Sequence, residues 1–135
     1  MIESRTLVPG DAAGVVLVLA EPLSFWGGLE PTTGEIIDRR HPQCGQRVTA
    51  RILVLPAGRG SSSSSTVLAE AIRLRTAPAA IILAEPDPII VMGALVAREL
   101  YRISLPVVHV SFKDYAALRS GDTVALRDGV VDREP

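Results

Sequence analysis

Short apolar runs bounded by turn formers recur along the chain. Residues 15–20, 51–55 and 80–84 are the strongest, closed off by Gly14, Pro22, Pro56 and Pro86. Continuous runs of this length, rich in branched side chains, predict buried strands. Two other segments change period. Val67, Leu68, Ala71 and Ile72 fall at helical spacing within residues 66–75, and Pro78 ends the pattern. Ile89, Met92, Val96 and Leu100 share one face of a second helix over residues 89–101. Weaker signals add strands near Thr6, over residues 35–38, 106–110 and 123–127, and a short helix over residues 113–118. Asp128-Gly129 reads as a hairpin turn into Val130 and Val131. The order is mostly β, then β-α-β-α-β, then a hairpin. This predicts an α+β fold, a compact barrel-like β core with helices on one side, in a single domain over residues 1–135.

Between the strand at 51–55 and the helix at 66–75 lies the least ordinary stretch of the sequence, Gly58-Arg59-Gly60 followed by five serines, Ser61 to Ser65. A flexible linker does not normally sit between a strong strand and a strong helix. Glycines there permit unusual backbone angles and close approach of a ligand. The helix that follows opens on unpaired N–H groups and a partial positive charge, a natural place for a carboxylate or phosphate. A single serine would suffice to cap the helix. The segment is neither a Walker loop, which needs Gly-Lys-Ser/Thr, nor a nucleophile elbow. A second loop, Ser24-Phe25-Trp26-Gly27-Gly28, holds the only tryptophan beside paired glycines. Its tryptophan suits a binding loop and a plug at the edge of the core equally well. Asp38, Arg39, Arg40 and His41 follow it and can bring charge to the same mouth.

Composition narrows the function classes. The 135 residues are 47% apolar and 21% charged, with a net charge of −1. That is enough chain for a self-sufficient core and offers no basic surface for nucleic acid or a membrane. No leader pattern opens the sequence and no apolar run is long enough to span a bilayer, so the cytoplasm is the expected location. Cys44 is the only cysteine, which excludes an internal disulfide and a self-contained iron–sulfur site. It reads as a loop thiol, since metal sites need three or four ligands. His109 lies in an apolar strand pattern and reads as a satisfied core or edge residue; His41, before Pro42, reads as a turn or site-mouth residue. Asp87, Asp114 and Asp122 read as turn and cap residues.

Taken together, these segments resemble the small swivelling subunit or domain of the aconitase X family. The resemblance is carried by Pro22-Leu23-Ser24-Phe25-Trp26-Gly27-Gly28, by Gly34, Asp38, His41-Pro42 and Gly45, by the Gly58–Ser65 loop, by Ala77-Pro78-Ala79-Ala80-Ile81, and by residues 93–106. It extends over about residues 14–131, and the pairing of the two loops is its specific part. It implies a swivelling β/β/α fold and a hydro-lyase whose metal centre, iron or an iron–sulfur cluster, sits on a large partner subunit, with no cofactor held by this chain alone. It implies Ser61 as the catalytic base, matching the serine of the Gly-x-Gly-Ser loop in aconitase-like enzymes. Ser24, Phe25, Trp26, Gly27, Gly28, Arg59, Gly60, Ser62 and Ser63 are then expected to bind a small hydroxy acid. Aconitases carry an arginine two residues after the base; Ser63 stands there in this chain, which leaves Arg59 or a partner residue to hold the carboxylate. The family acts on cis-3-hydroxy-L-proline or mevalonate 5-phosphate, and the serine-rich, cation-poor loop favours the first. The residues leave two rival readings open, a phosphocarrier using His41 or His109 and a non-catalytic interaction module.

Overall fold

A computed structural model describes residues 1–134. Its strands are β1 (Ile2–Glu3), β2 (Arg5–Val8), β3 (Ala12–Val18), β4 (Leu29–Glu30), β5 (Glu35–Ile36), β6 (Ile52–Leu55), β7 (Ala80–Leu83), β8 (Val107–His109), β9 (Thr123–Arg127) and β10 (Val130–Arg133). Its helices are α2 (Ser63–Arg73), α3 (Pro88–Tyr101) and α4 (Phe112–Ala117), with an irregular turn, α1 (Phe25–Gly28), in which Trp26 and Gly27 leave helical angles. The main sheet runs β1-β10-β9-β3-β6-β7-β8-β2, and β4 and β5 form a separate ribbon.

The two ends of that strand order are neighbours in sequence. β1 pairs with β10 and β2 with β8, and only Ser4 separates them. Both the backbone N–H and the hydroxyl of Ser4 donate to Gly129 O, at 2.9 and 2.7 Å, pinning the crossing point. The sheet therefore nearly closes on itself, as the barrel-like expectation has it. β3 makes the same kind of crossing. Its residues 12–15 run antiparallel to β9, and Val16, Leu17 and Val18 run parallel to β6. Arg51 serves the changeover by donating to Val15 O at 3.1 Å and Val16 O at 2.9 Å. This early pairing with β9 explains why β3 begins three positions before the apolar run that marks it in sequence.

β3, β6, β7 and β8 are mutually parallel, and their crossovers α2 and α3 lie on one face. Leu17, Leu53, Leu55, Ile81 and Leu83 point to those helices and form one core with Leu68, Ile72, Ile90 and Ala94. Val16, Ile52, Val54 and Ile82 point the other way, against Val124, Leu126 and Val131. Strands covered on both faces have no polar alternation, hence the continuous apolar runs. The short α4 contributes Tyr115 to this second core. The two long helices approach closely at Gly93, where an added Cβ would lie 2.9 Å from Ser65 O. Because β6 and β7 are parallel, α2 and α3 begin at the same end of the molecule. No helix among the described residues is long and apolar enough to cross a membrane.

Candidate functional site at the start of α2

The chain leaves β6 at Leu55, crosses residues 56–62 and enters α2. Both flanks hold this loop. On one side Leu23 forms a parallel bridge with Gly58, and Arg59 N donates to Leu23 O at 3.1 Å. On the other side Gly58 N donates to Asp87 Oδ2 at 2.8 Å, at the head of α3. The Pro22–Gly28 segment, the serine loop and the start of α3 thus meet, although they lie far apart in sequence.

The five serines do different work. Ser64 is 3% exposed; its hydroxyl accepts from Trp26 N at 3.2 Å and pairs with Ser24 Oγ at 3.3 Å. Ser24 Oγ donates its own hydrogen to Trp26 O at 2.9 Å, which makes Ser64 the donor in the serine pair. Ser65 Oγ donates to Ile89 O at 2.6 Å and ties α2 to α3. Ser61, Ser62 and Ser63 are exposed. Ser61 Oγ accepts from Ser63 N at 3.3 Å, while the N-cap residue Ser62 makes no side-chain cap. The N–H groups of Gly60, Ser61 and Ser62 have no backbone acceptor among the described residues. The loop therefore presents hydroxyls and free N–H groups together at the positive end of an 11-residue helix. Gly60 has φ of +111°, and a Cβ there would lie 2.7 Å from Ser24 Oγ, so backbone angle and space both demand glycine.

Of the residues expected to bind a ligand, Ser24, Trp26, Arg59, Gly60, Ser61, Ser62 and Ser63 belong to this junction. Trp26 is 63% exposed beside it, and Arg59 is exposed with no salt bridge among the described residues. Gly27, with φ of +79°, makes the exposed turn that presents Trp26. Phe25 and Gly28 sit beneath the junction rather than on its surface. Phe25 is 1% exposed and packs in the helix-side core, and Gly28 is buried against Leu23. They shape the loop from beneath, Phe25 lining a small recess with Arg59 and Ser64. The histidines are likewise engaged. His41 is 5% exposed, accepts at Nδ1 from Gln43 N at 3.0 Å and donates from Nε2 to Glu21 O at 3.1 Å. Both ring nitrogens thus hold the turn that follows Asp38. His109 Nε2 bonds Ala84 O at 3.0 Å. His41 is held by the backbone at both ring nitrogens, while His109 is fixed through Nε2 alone. Cys44 is exposed, and no group of three His, Cys, Asp or Glu side chains gathers among the described residues.

Beside the loop a groove of about 460 Å³ opens between α2 and α3, lined by Ser62, Thr66, Ala69, Met92, Val96 and Leu100, among others. Met92 and Leu100 are 54% and 67% exposed.

The family model of the aconitase X swivel domain matches residues 1–132. The chain belongs to this family. The cis-3-hydroxy-L-proline dehydratase of Pseudomonas aeruginosa is 50% identical over 107 residues, which are 79% of this chain but 18% of that protein's length. The phosphomevalonate dehydratase small subunit of Methanopyrus kandleri is 43% identical over 115 residues, 84% of this chain and 81% of that one. The crystal structure of holo-form aconitase X from Thermococcus kodakaraensis superposes with a TM-score of 0.89 at 34% identity, covering 99% of this chain and 98% of that one. The nearly closed sheet, with α2 and α3 on one face of its parallel strands, is thus the architecture of an aconitase X swivel domain.

Proposed function

We propose that this swivel domain is the small part of a dehydratase that removes water from cis-3-hydroxy-L-proline, with Ser61 as the base. The observation that carries the reading is the exposed Ser61 hydroxyl between Gly60 and Ser62, whose N–H groups have no backbone acceptor among the described residues, at the start of α2. Fixed dipoles of this kind lower the energy of a serine alkoxide or of a substrate carboxylate held beside it. Ser61 Oγ, as its alkoxide, takes the proton from the carbon bearing the carboxylate. The electrons of that C–H bond form a C=C bond as the neighbouring C–O bond breaks. The hydroxyl leaves with a proton as water, and the enamine tautomerises to Δ1-pyrroline-2-carboxylate. Arg59 and the free N–H groups hold the carboxylate, while Ser24, Trp26, Ser62 and Ser63 enclose the ring.

A separate large subunit completes the site. Iron or an iron–sulfur centre, which would polarise a leaving hydroxyl as a Lewis acid, is assigned to that subunit in this reading; among the described residues no three His, Cys, Asp or Glu side chains gather as ligands for it. We place the large subunit over the loop and the adjoining groove, since Ser62 borders both and an apolar opening of this kind marks an interaction surface. The cytoplasm, where the exposed Cys44 stays reduced, is the proposed location.

The 50% identity to the Pseudomonas enzyme favours hydroxyproline, as does a loop whose one cation is Arg59. The 43% identity to the Methanopyrus small subunit supports mevalonate 5-phosphate as the second reading. Assaying the assembled enzyme on both compounds separates them, and turnover of mevalonate 5-phosphate alone overturns the choice. In the same assembly Ser61→Ala is expected to lower kcat about 10²- to 10⁴-fold with substrate binding and subunit assembly retained. Near-normal turnover would remove Ser61 as the base and favour a module that only stabilises its partner.

A further inference from the structure

We propose that Asp87 is a positioning residue for the serine loop and sets where Ser61 sits. Sequence alone makes it a helix cap, and one carboxylate oxygen is used that way: Oδ1 accepts from Ile89 N at 2.9 Å and Ile90 N at 3.3 Å. The other oxygen leaves the helix and accepts from Gly58 N at 2.8 Å. The same carboxylate therefore joins the first turn of α3 to the loop that precedes α2.

A second observation comes from Gly58. Unlike Gly60, it has no positive φ that would call for glycine. A Cβ on Gly58 would instead lie 2.5 Å from Asp87 Oδ2 and 3.2 Å from Ile90 Cδ1. Glycine at this position is explained by the close approach of the carboxylate. From Gly58 the coupling runs outward through contacts already described. Gly58 bridges Leu23, Arg59 N bonds Leu23 O, and Ser24 lies under Gly60. Releasing Oδ2 from Gly58 thus frees the backbone that carries Arg59, Gly60 and Ser61, while the α3 cap needs only Oδ1.

That division of labour makes the proposal testable with Asp87→Ser. Serine caps a helix about as well as aspartate, but its single oxygen cannot also reach Gly58. Asp87→Asn is the second variant: its amide oxygen keeps the cap, and its NH₂ meets the Gly58 N–H donor to donor. Amide hydrogen exchange of the full chain is the first readout. In both variants Gly58 and Arg59 are expected to exchange at least tenfold faster, with Ile89 and Ile90 unchanged. Unchanged exchange at Gly58, or equal loosening at Gly58 and along α3, would reduce Asp87 to a plain cap and overturn the proposal. The second readout rests on the proposed function. In the assembled dehydratase, Asp87→Ser is expected to lower kcat at least tenfold with little change in KM. A loosened loop with unchanged kcat would sever Asp87 from the placement of Ser61. If Ser61→Ala itself leaves turnover intact, the function fails while the exchange result still decides whether Asp87 holds the loop.

Discussion

Five consecutive identical residues carry unequal loads at the start of α2. Ser64 satisfies Trp26 N and pairs with Ser24 in a buried position, while Ser63 is exposed and its side chain makes no hydrogen bond among the described residues. Removing one partner from a buried hydrogen-bonded set costs about 1–3 kcal/mol, whereas an exposed, unengaged hydroxyl contributes within about 0.5 kcal/mol. Ser64→Ala is therefore expected to lower Tm by several degrees and Ser63→Ala to leave it in place, as read by thermal unfolding of the isolated chain. Equal shifts for the two variants would refute this sorting of the tract. The sequence announces a polar helix start here, and the free hydroxyls of Ser61 to Ser63 follow that announcement. It does not say which serine is buried. That depends on Trp26 and Ser24 arriving from another segment, and no local pattern encodes the meeting. Phe25 shows the same limit: an aromatic beside paired glycines reads as a ligand contact until its burial in the core is seen.

At the level of elements, legibility follows how many faces each segment buries. β6 and β7 are covered on both sides, and their apolar runs mark them within a residue of their ends. β3 is harder to delimit because half of it pairs with β9, where Ala12, Ala13 and Gly14 carry little hydrophobic signal. α2 begins at Ser63 rather than at residue 66 because its first turn is held by serine hydrogen bonds instead of apolar burial. The contact between α2 and α3 also escapes local reading, since Gly93 sits mid-helix, where its low propensity argues against it. Its reason is space: Ser65 O and Leu68 would lie 2.9 and 3.2 Å from a Cβ. Alanine would gain about 1 kcal/mol in helix propensity, against an overpacking cost of about 1–3 kcal/mol. Gly93→Ala is thus expected to destabilise the domain in chemical denaturation, and a gain in stability would show that the helices separate at no cost.

On the scale of the whole molecule, the nearly closed sheet and the helix layer leave two features uncovered, one at the start of α2 and one running along α2 and α3. One is the serine loop with its free N–H groups; the other is the groove between the helices, with Met92 and Leu100 largely exposed. Both fall to the same partner if the large subunit covers the serine loop and extends along the groove, because Ser62 borders both. A charge placed in a desolvated apolar contact is strongly unfavourable, so Met92→Glu and Leu100→Glu are expected to weaken assembly with the large subunit at least tenfold. Neither side chain is buried within this chain, so the isolated variants should unfold at the same temperature as the parent. Sedimentation of mixed subunits measures the first effect and calorimetry of the small subunit alone the second. Unchanged affinity in both variants would confine the partner to the loop and leave the groove outside the interface. Lost affinity with an intact fold would make the groove the anchor that brings Ser61 to the rest of its site.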